Sequence, residues 1–172
     1  MAMVEDVVKE LGYLTLGTRL KRLGERLQAQ TQVLLDQAGL DLPASYFPIL
    51  TALDRLGALS VGELSEAVGI TQPGVTRMLV NLETEGLVRS AASADDGRVR
   101  TIELTKSGRQ LMSRAKTLAW PMVEAAVADA CGGPSKSLLQ LLAAFEDALT
   151  AAPLSTRAER LRPGKKKRHA SA

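Results

Sequence analysis

Apolar residues recur at helical spacing from the start of the chain. Val4, Val7, Val8 and Leu11 form one set and Leu16, Leu20, Leu23, Leu27 and Leu34 a second. The two sets are offset, and Gly12, Gly17 and Gly24 weaken the helix locally, so a break is expected between Gly12 and Gly17. Gly39 closes this element near Gln37. Asp41-Leu42-Pro43 then opens a second helix, with an acid at the cap and proline in the first turn, running to Leu56 with Phe47, Leu50, Leu53 and Leu56 on one face and Gly57 as its stop.

The pattern changes between residues 58 and 88, where two short helices meet at a tight turn. Leu59, Val61, Leu64, Ala67 and Val68 point inward on the first, and Ser60 with Glu63 makes a capping box. Gly69-Ile70 is the turn. Thr71 caps the second helix, whose Pro73 sits in the first turn where a missing donor costs little. Val75, Leu79 and Leu82 face inward with Met78 beside them, leaving Gln72, Gly74, Thr76, Arg77 and Asn81 on other faces.

Gly86 ends that helix, and period-2 alternation takes over. Leu87-Val88-Arg89 begins one strand, residues 93–98 make a polar turn, and Val99 to Leu104 returns as a second strand with Ile102 and Leu104 on a buried face. Thr105 caps a long helix to about Ala130 through Leu111, Met112, Ala115, Leu118 and Met122; Pro121 inside it should kink it. Cys131-Gly132-Gly133 ends that helix. Pro134 and Ser135 open a last one with Leu138, Leu141, Leu142, Phe145 and Leu149 on its apolar face. Beyond Pro153 the periodicity is lost, and residues from about 155 read as a mobile basic tail. The fold class is mainly α with a small β-hairpin wing (α+β): a winged helix-turn-helix lobe at 57–106, support and dimerisation helices at 1–56 and 107–152, and the tail at 153–172.

Composition narrows the chemistry. The 172 residues are 45% hydrophobic and 24% charged, an ordinary globular balance. No stretch is apolar over the length a membrane span requires, and Met1 to Asp6 lacks the form of a signal peptide, so no membrane partner is expected and the localisation reads as cytoplasmic. The net charge of +3 is unevenly placed. From Arg157 onward seven of the 22 basic residues face one of the 19 acids, Glu159; residues 1–156 therefore carry 15 bases and 18 acids, a balance of −3, against +6 beyond. The basic pI belongs to the tail. It is read as a solvated tail or, more sharply, as a source of non-specific phosphate contacts.

An enzyme is not expected. The only histidine, His169, lies in the tail, so no nucleophile–base arrangement can be assembled in the body, and one cysteine with one histidine makes no metal site. Catalytic residues, metal and cofactor are each read as none. Asp95 and Asp96 are better explained by the wing turn than by acid–base work, and Cys131 as a helix-end residue.

The second short helix carries the most informative chemistry. Gln and Arg can donate in pairs to purine edges, and Thr can meet a thymine methyl or a phosphate. Small residues at Gly74 and Thr76 allow close approach to a groove, and the first turn offers amides to a phosphate. At the hairpin tip, Arg98 could enter a minor groove with Asp96 holding it, and Arg100 lies nearby.

Residues 59–108 resemble the winged helix-turn-helix of the MarR family of bacterial transcriptional regulators. The resemblance rests on Leu64…Ile70-Thr71, Val75-Thr76-Arg77, Leu82-Glu83…Gly86-Leu87-Val88, and Asp96-Gly97-Arg98 ahead of Ile102-Glu103-Leu104-Thr105-Lys106-Ser107-Gly108. With the flanking helices it extends over roughly residues 4–150. It implies a symmetric homodimer whose first and last helices interleave and whose two lobes read a pseudo-palindromic site on double-stranded DNA, most simply as a repressor. It further implies that Thr71, Gln72, Pro73, Gly74, Thr76 and Arg77 meet the major groove, that Arg98 enters the minor groove steadied by Asp96, and that Arg100 lies near a phosphate. Many relatives release DNA when a small aromatic effector enters a cleft beside the DNA lobe; Tyr13, Tyr46, Phe47 and Trp120 could line one here, or simply pack the core and an interface. The peroxide-sensing cysteine of some relatives lies in the first helix, where this chain has none. The alternative is a winged-helix protein-interaction module that does not read DNA, favoured by the −3 of the body and opposed by Arg77, Arg98 and Arg100.

Overall fold

A computed structural model describes residues 4–92, 100–133 and 137–162. The chain divides into two compact units, Met1–Ala125 and Ala126–Ala172.

The first unit opens with α1 (Val7–Glu10), a 3-10 turn over Gly12–Thr15 and α2 (Leu16–Gln37). The break falls at Gly12, which takes φ +53°, a conformation that costs glycine little. An Arg22–Asp6 fork, 3.0 and 2.8 Å, ties α1 back onto α2. The Arg22 guanidinium holds the Asp6 carboxyl below the usual carboxylate range.

The entry to the next helix departs from expectation. Pro43 precedes a 3-10 turn (Ala44–Tyr46), and α3 (Phe47–Leu56) begins only afterwards with Pro48 in its first turn. Asp41 makes no cap. The side chain of Gln32 on α2 does that work across the gap: its Oε1 accepts from the Ala44 N–H at 2.7 Å and its Nε2 donates to Asp36 Oδ1 at 2.8 Å and to the Leu42 carbonyl at 3.3 Å. A cap supplied from twelve residues away leaves no local signature. On α3 the buried face is Phe47, Ile49, Leu50, Ala52 and Leu53, whereas Leu56 is 64% exposed beside the stop at Gly57.

Helices α4 (Val61–Val68) and α5 (Gln72–Thr84) follow, then β1 (Val88–Ala92) and β2 (Arg100–Leu104), paired antiparallel from Val88↔Leu104 to Ala92↔Arg100. Ala67, expected inward, is exposed. A third contribution to the wing was not legible in the sequence: Leu59 exchanges both backbone hydrogen bonds with Ile102, at 3.0 and 2.7 Å. A one-residue strand has no periodicity to detect.

Helix α6 (Lys106–Arg114) is capped by Thr105, whose Oγ1 accepts from the Gly108 N–H at 3.1 Å. Pro121 is accommodated by a widened π-turn over Ala115–Ala119, just before α7 (Trp120–Ala130). Widening one turn relieves the clash that a proline ring makes with the turn before it. The π-turn also resets the helix face: Ala115 and Ala119 are buried, while Leu118 and Met122, expected inward, are 47% and 44% exposed. The core of this unit gathers Leu35, Leu50, Leu64, Leu82, Ile102, Met112 and their neighbours into one cluster. Removing any one of these leucines to alanine is worth about 2–5 kcal/mol.

The second unit holds α8 (Ser137–Ala151) and α9 (Leu154–Leu161). The helix α9 corrects the expectation of an irregular tail from residue 155. Arg157 supplies what a local pattern did not show: its Nε donates to the Ala152 carbonyl at 2.8 Å and its Nη2 to the Ala148 carbonyl, satisfying orphan acceptors at the end of α8. The expected opening of α8 at Pro134 and Ser135 lies outside the described residues.

Candidate nucleic-acid interface

The geometry begins at Ser60. Its backbone N–H and its hydroxyl both donate to Glu63 Oε2 at 2.7 Å, and the Glu63 N–H donates back to Ser60 Oγ at 3.3 Å. These two donors hold the Glu63 carboxyl below its ordinary value, the backbone N–H contributing most. The capping box sets where α4 starts, which places Leu64 in the core.

The turn between α4 and α5 is fixed from both sides. Gly69 adopts φ +67°, and the Ser65 hydroxyl donates to the Ile70 carbonyl at 2.6 Å. Gly74 also meets a packing demand. A Cβ there would lie 2.8 Å from Ile70 Cγ2, so glycine lets the first turn of α5 pack onto the turn itself. Thr71 stands at the N-cap in extended backbone, but its hydroxyl accepts no capping bond. Val75, Leu79 and Leu82 lock α5 onto the core, and Met78 packs beside them.

That docking leaves Thr71, Gln72, Pro73, Thr76 and Arg77 exposed together at the start of α5. The Thr76 hydroxyl donates to the Gln72 carbonyl at 2.9 Å and Arg77 Nε to the Pro73 carbonyl at 3.4 Å, and no acid pairs with Arg77 among the described residues. Asn81, further along, donates to the Tyr46 hydroxyl at 2.6 Å, a contact across 35 positions that anchors α5 to the 3-10 turn.

The wing base is sealed by Val88, Ile102 and Leu104, all buried. Arg89 and Glu103 face each other in register and form an ion pair at 2.6 Å. Arg100, paired with Ala92 at the far end of the hairpin, is exposed. Asp96 and Arg98 lie outside the described residues.

The four aromatics do not converge. Phe47 and Trp120 line an open cleft of about 740 Å³ with Pro48, Thr51, Arg55 and Val68. Tyr46 instead lines a smaller, polar cavity of about 360 Å³ with Asp41, Asn81 and Glu85. Tyr13 is 95% exposed and lines neither. Cys131 is exposed where α7 ends. Among the described residues no group of His, Cys, Asp and Glu side chains is arranged to hold a metal ion, and no helix is long and apolar enough to cross a membrane.

A capped helical pair whose second helix is followed by a β-hairpin, with an edge residue closing the sheet, defines a winged helix-turn-helix protein. Residues 40–99 match the family model described as MarR family. The chain is similar to an HTH-type transcriptional regulator of Bacillus cereus (36% identical over 75 residues, 44% of this chain and 49% of the relative). It is similar also to the HTH-type transcriptional repressor IacR of Pseudomonas putida, 30% identical over 95 residues, 55% of this chain and 56% of the relative. It thus spans about half the length of the curated relatives it matches. Among solved structures it resembles the transcriptional repressor CouR bound to a 23-mer DNA duplex (TM-score 0.70, 25% identity, 84% of this chain and 99% of that one). The M. tuberculosis transcriptional regulator MosR in complex with DNA is similar too, with TM-score 0.66, 28% identity, and 80% and 97% covered. Over residues 40–99 the chain is thus similar to the MarR family of winged-helix proteins.

Proposed function

We propose that this chain is a sequence-specific DNA-binding transcriptional regulator, acting as a homodimer on a pseudo-palindromic duplex and serving as a repressor. The observation that carries this reading is the exposed cluster Gln72, Thr76 and Arg77 on a helix whose other face is locked into the core. A rigid helix with donors at its start is suited to reading base edges in a major groove. The DNA-bound relatives CouR and MosR support it. In this assignment Thr71, Pro73 and Gly74 bring the backbone close to the groove, while Asp96, Arg98 and Arg100 belong to the wing.

The homodimer reading rests on apolar side chains left open in a single chain. Val7, Tyr13 and Leu14 before α2, and Leu23 and Leu27 on it, are 44–95% exposed. In the second unit Leu139 and Leu141 are each 69% exposed. Patches of this kind mark surfaces that pair with another chain. Two copies would set two recognition helices about one helical turn apart.

An effector reading attaches to the cleft at Phe47 and Trp120. Its walls are largely apolar, with the Thr51 hydroxyl and the Arg55 guanidinium as polar groups, which suits a small aromatic compound bearing an acidic substituent.

The test is fluorescence anisotropy with the duplex upstream of the chain's own coding sequence and a scrambled duplex of equal length. Preference for the first, lost in Arg77→Ala and Arg98→Ala without loss of folding, is the expected result. Equal binding of both duplexes by the parent chain refutes sequence-specific reading of that site.

A further inference from the structure

We propose that the outer face of α5 reads thymine through its C5-methyl group, with Val80 and the methyl of Thr76 as the specificity-determining contacts. This rests on the DNA-binding reading above and names the base feature that the recognition helix reads.

The face follows from the docking of α5. With Val75, Leu79 and Leu82 buried, the opposite side of the helix carries Pro73, Thr76, Arg77, Val80 and Thr84, all exposed. Val80 is 56% exposed in the middle of the helix. Helix stability gives no reason for a valine there, because a β-branched residue is a weaker helix former than alanine or leucine and this one is largely unpacked. Its side chain is available to a partner rather than to the fold.

The hydroxyls beside it are already used. Thr76 Oγ1 donates to the Gln72 carbonyl at 2.9 Å, and Thr84 Oγ1 donates to the Val80 carbonyl at 2.8 Å. A threonine hydroxyl bonded back onto its own helix leaves the methyl as the group offered outward. Pro73, Thr76 and Val80 thus make a short apolar strip, and the charge on this face is the cation of Arg77.

A major groove has one feature that matches such a strip. Guanine, cytosine and adenine present only donors and acceptors there, whereas thymine adds a methyl group. Valine cannot hydrogen-bond to a base edge, and a committed hydroxyl does not. Thr76 and Val80 stand one turn apart, about 6 Å along the helix axis, close to two base-pair steps of about 3.4 Å. Thymines at that spacing in each half-site are the expected feature. A protein partner is the less favoured occupant, since the strip holds no aromatic or leucine anchor and is continuous with the exposed Gln72 and Arg77. 5-Methylcytosine presents the same methyl group, so the test uses synthetic duplexes that contain none.

The experiment is fluorescence anisotropy with the full chain on three duplexes: the upstream duplex, the same duplex with every thymine replaced by uracil, and a scrambled one. Uracil differs from thymine only in lacking the methyl. Burying one methyl is worth roughly fourfold in affinity, so one contact in each of two half-sites should weaken binding to the uracil duplex at least about 15-fold. The variant Thr76→Ser/Val80→Ala should bind the thymine and uracil duplexes within about threefold of each other. Val80→Ala alone should keep the parent's salt slope, because no phosphate contact is removed. Its Tm should stay within about 2 °C of the parent's, as expected of an exposed position. A clear fall in that Tm places Val80 in the fold and overturns its role. A parent chain that prefers the upstream duplex but binds its uracil form equally well overturns the methyl reading and leaves DNA recognition standing. A thymine preference that survives in the double variant assigns the methyl contacts to other residues and overturns the proposal. A parent chain that does not distinguish the upstream duplex from the scrambled one overturns the sequence-specific reading and this inference together.

Discussion

Replacing Gly108 by alanine should damage the whole winged lobe, although the change adds one methyl group to a helix. Gly108 is buried in the first turn of α6. A Cβ built there falls 2.1 Å from the Leu87 carbonyl oxygen, 3.1 Å from its carbon and 3.2 Å from Leu104 Cδ2. The first distance is more than an ångström short of ordinary contact, and its partner is backbone rather than a side chain that can swing away. That same oxygen accepts from the Thr105 N–H at 3.0 Å and from the Thr105 hydroxyl at 3.2 Å. Separating α6 from residue 87 therefore strains the cap of α6 and the start of β1 together. Overpacking of this kind costs about 1–3 kcal/mol and each weakened hydrogen bond about 1 kcal/mol, against about 1 kcal/mol regained in helix propensity. The net expectation is a loss of about 2–4 kcal/mol, or roughly 6–12 °C in Tm for a chain of this size. The assay is thermal and urea unfolding followed by circular dichroism at one fixed protomer concentration. Gly62→Ala is the control, because its Cβ would meet only Gln72 Nε2 at 3.6 Å and Ser60 Oγ at 3.9 Å. It should be neutral or mildly stabilising. A Gly108→Ala protein within about 0.5 kcal/mol of the parent would refute the reasoning, since surface-like tolerance cannot coexist with that contact.

The capping box predicts a pH dependence. The Glu63 carboxyl is held below its ordinary 4.5, so its contribution is fully present above that value and is lost as pH falls through the lowered folded one. The urea midpoint of Ser60→Ala should therefore trail the parent's more at pH 7 than at pH 3, and equal gaps would exclude the carboxylate. Asp6 follows the same sign: NMR titration should place its carboxyl below the usual range, and Arg22→Gln should return it upward. Lys116 pairs with Asp54, whose carboxylate is 84% removed from solvent (16% exposed). Lys116→Met should cost about 1 kcal/mol, the half-exposed lysine limiting the effect, and adding Asp54→Asn should recover part of it; no recovery would separate the two residues. Leu138→Glu/Leu141→Glu should convert the proposed dimer to monomer in sedimentation equilibrium, and a dimer of unchanged mass would place the interface elsewhere.

Much of this lobe was legible residue by residue because its signals are local. The Ser60–Glu63 box, the positive φ at Gly69 and Gly86, and the inward set Val75, Leu79 and Leu82 each depend on neighbours within one or two turns. The break at Gly12 and the cap at Thr105 are of the same kind. The exposed cluster Gln72, Thr76 and Arg77 follows directly, since a helix with one buried face presents the opposite one.

Other features exist only because distant segments meet. Gln32 caps the turn at Ala44, Tyr46 receives Asn81, Leu59 pairs with Ile102, and Arg114 donates to the Gly39 carbonyl at 2.8 Å across 75 positions. The π-turn before Pro121 keeps Ala115 buried and brings Ala119 inward in place of Leu118 and Met122, and Arg157 ties α9 to the carbonyls that end α8. The same division separates the aromatics: a list of four residues carries no information on which share a cavity. Short-range hydrogen bonds and periodic burial are written into adjacent residues and survive being read in one dimension. Close approach between remote backbones is decided only when the chain has folded, and Gly108, an ordinary helix glycine in sequence, is the described glycine at which an added Cβ would meet another backbone most closely.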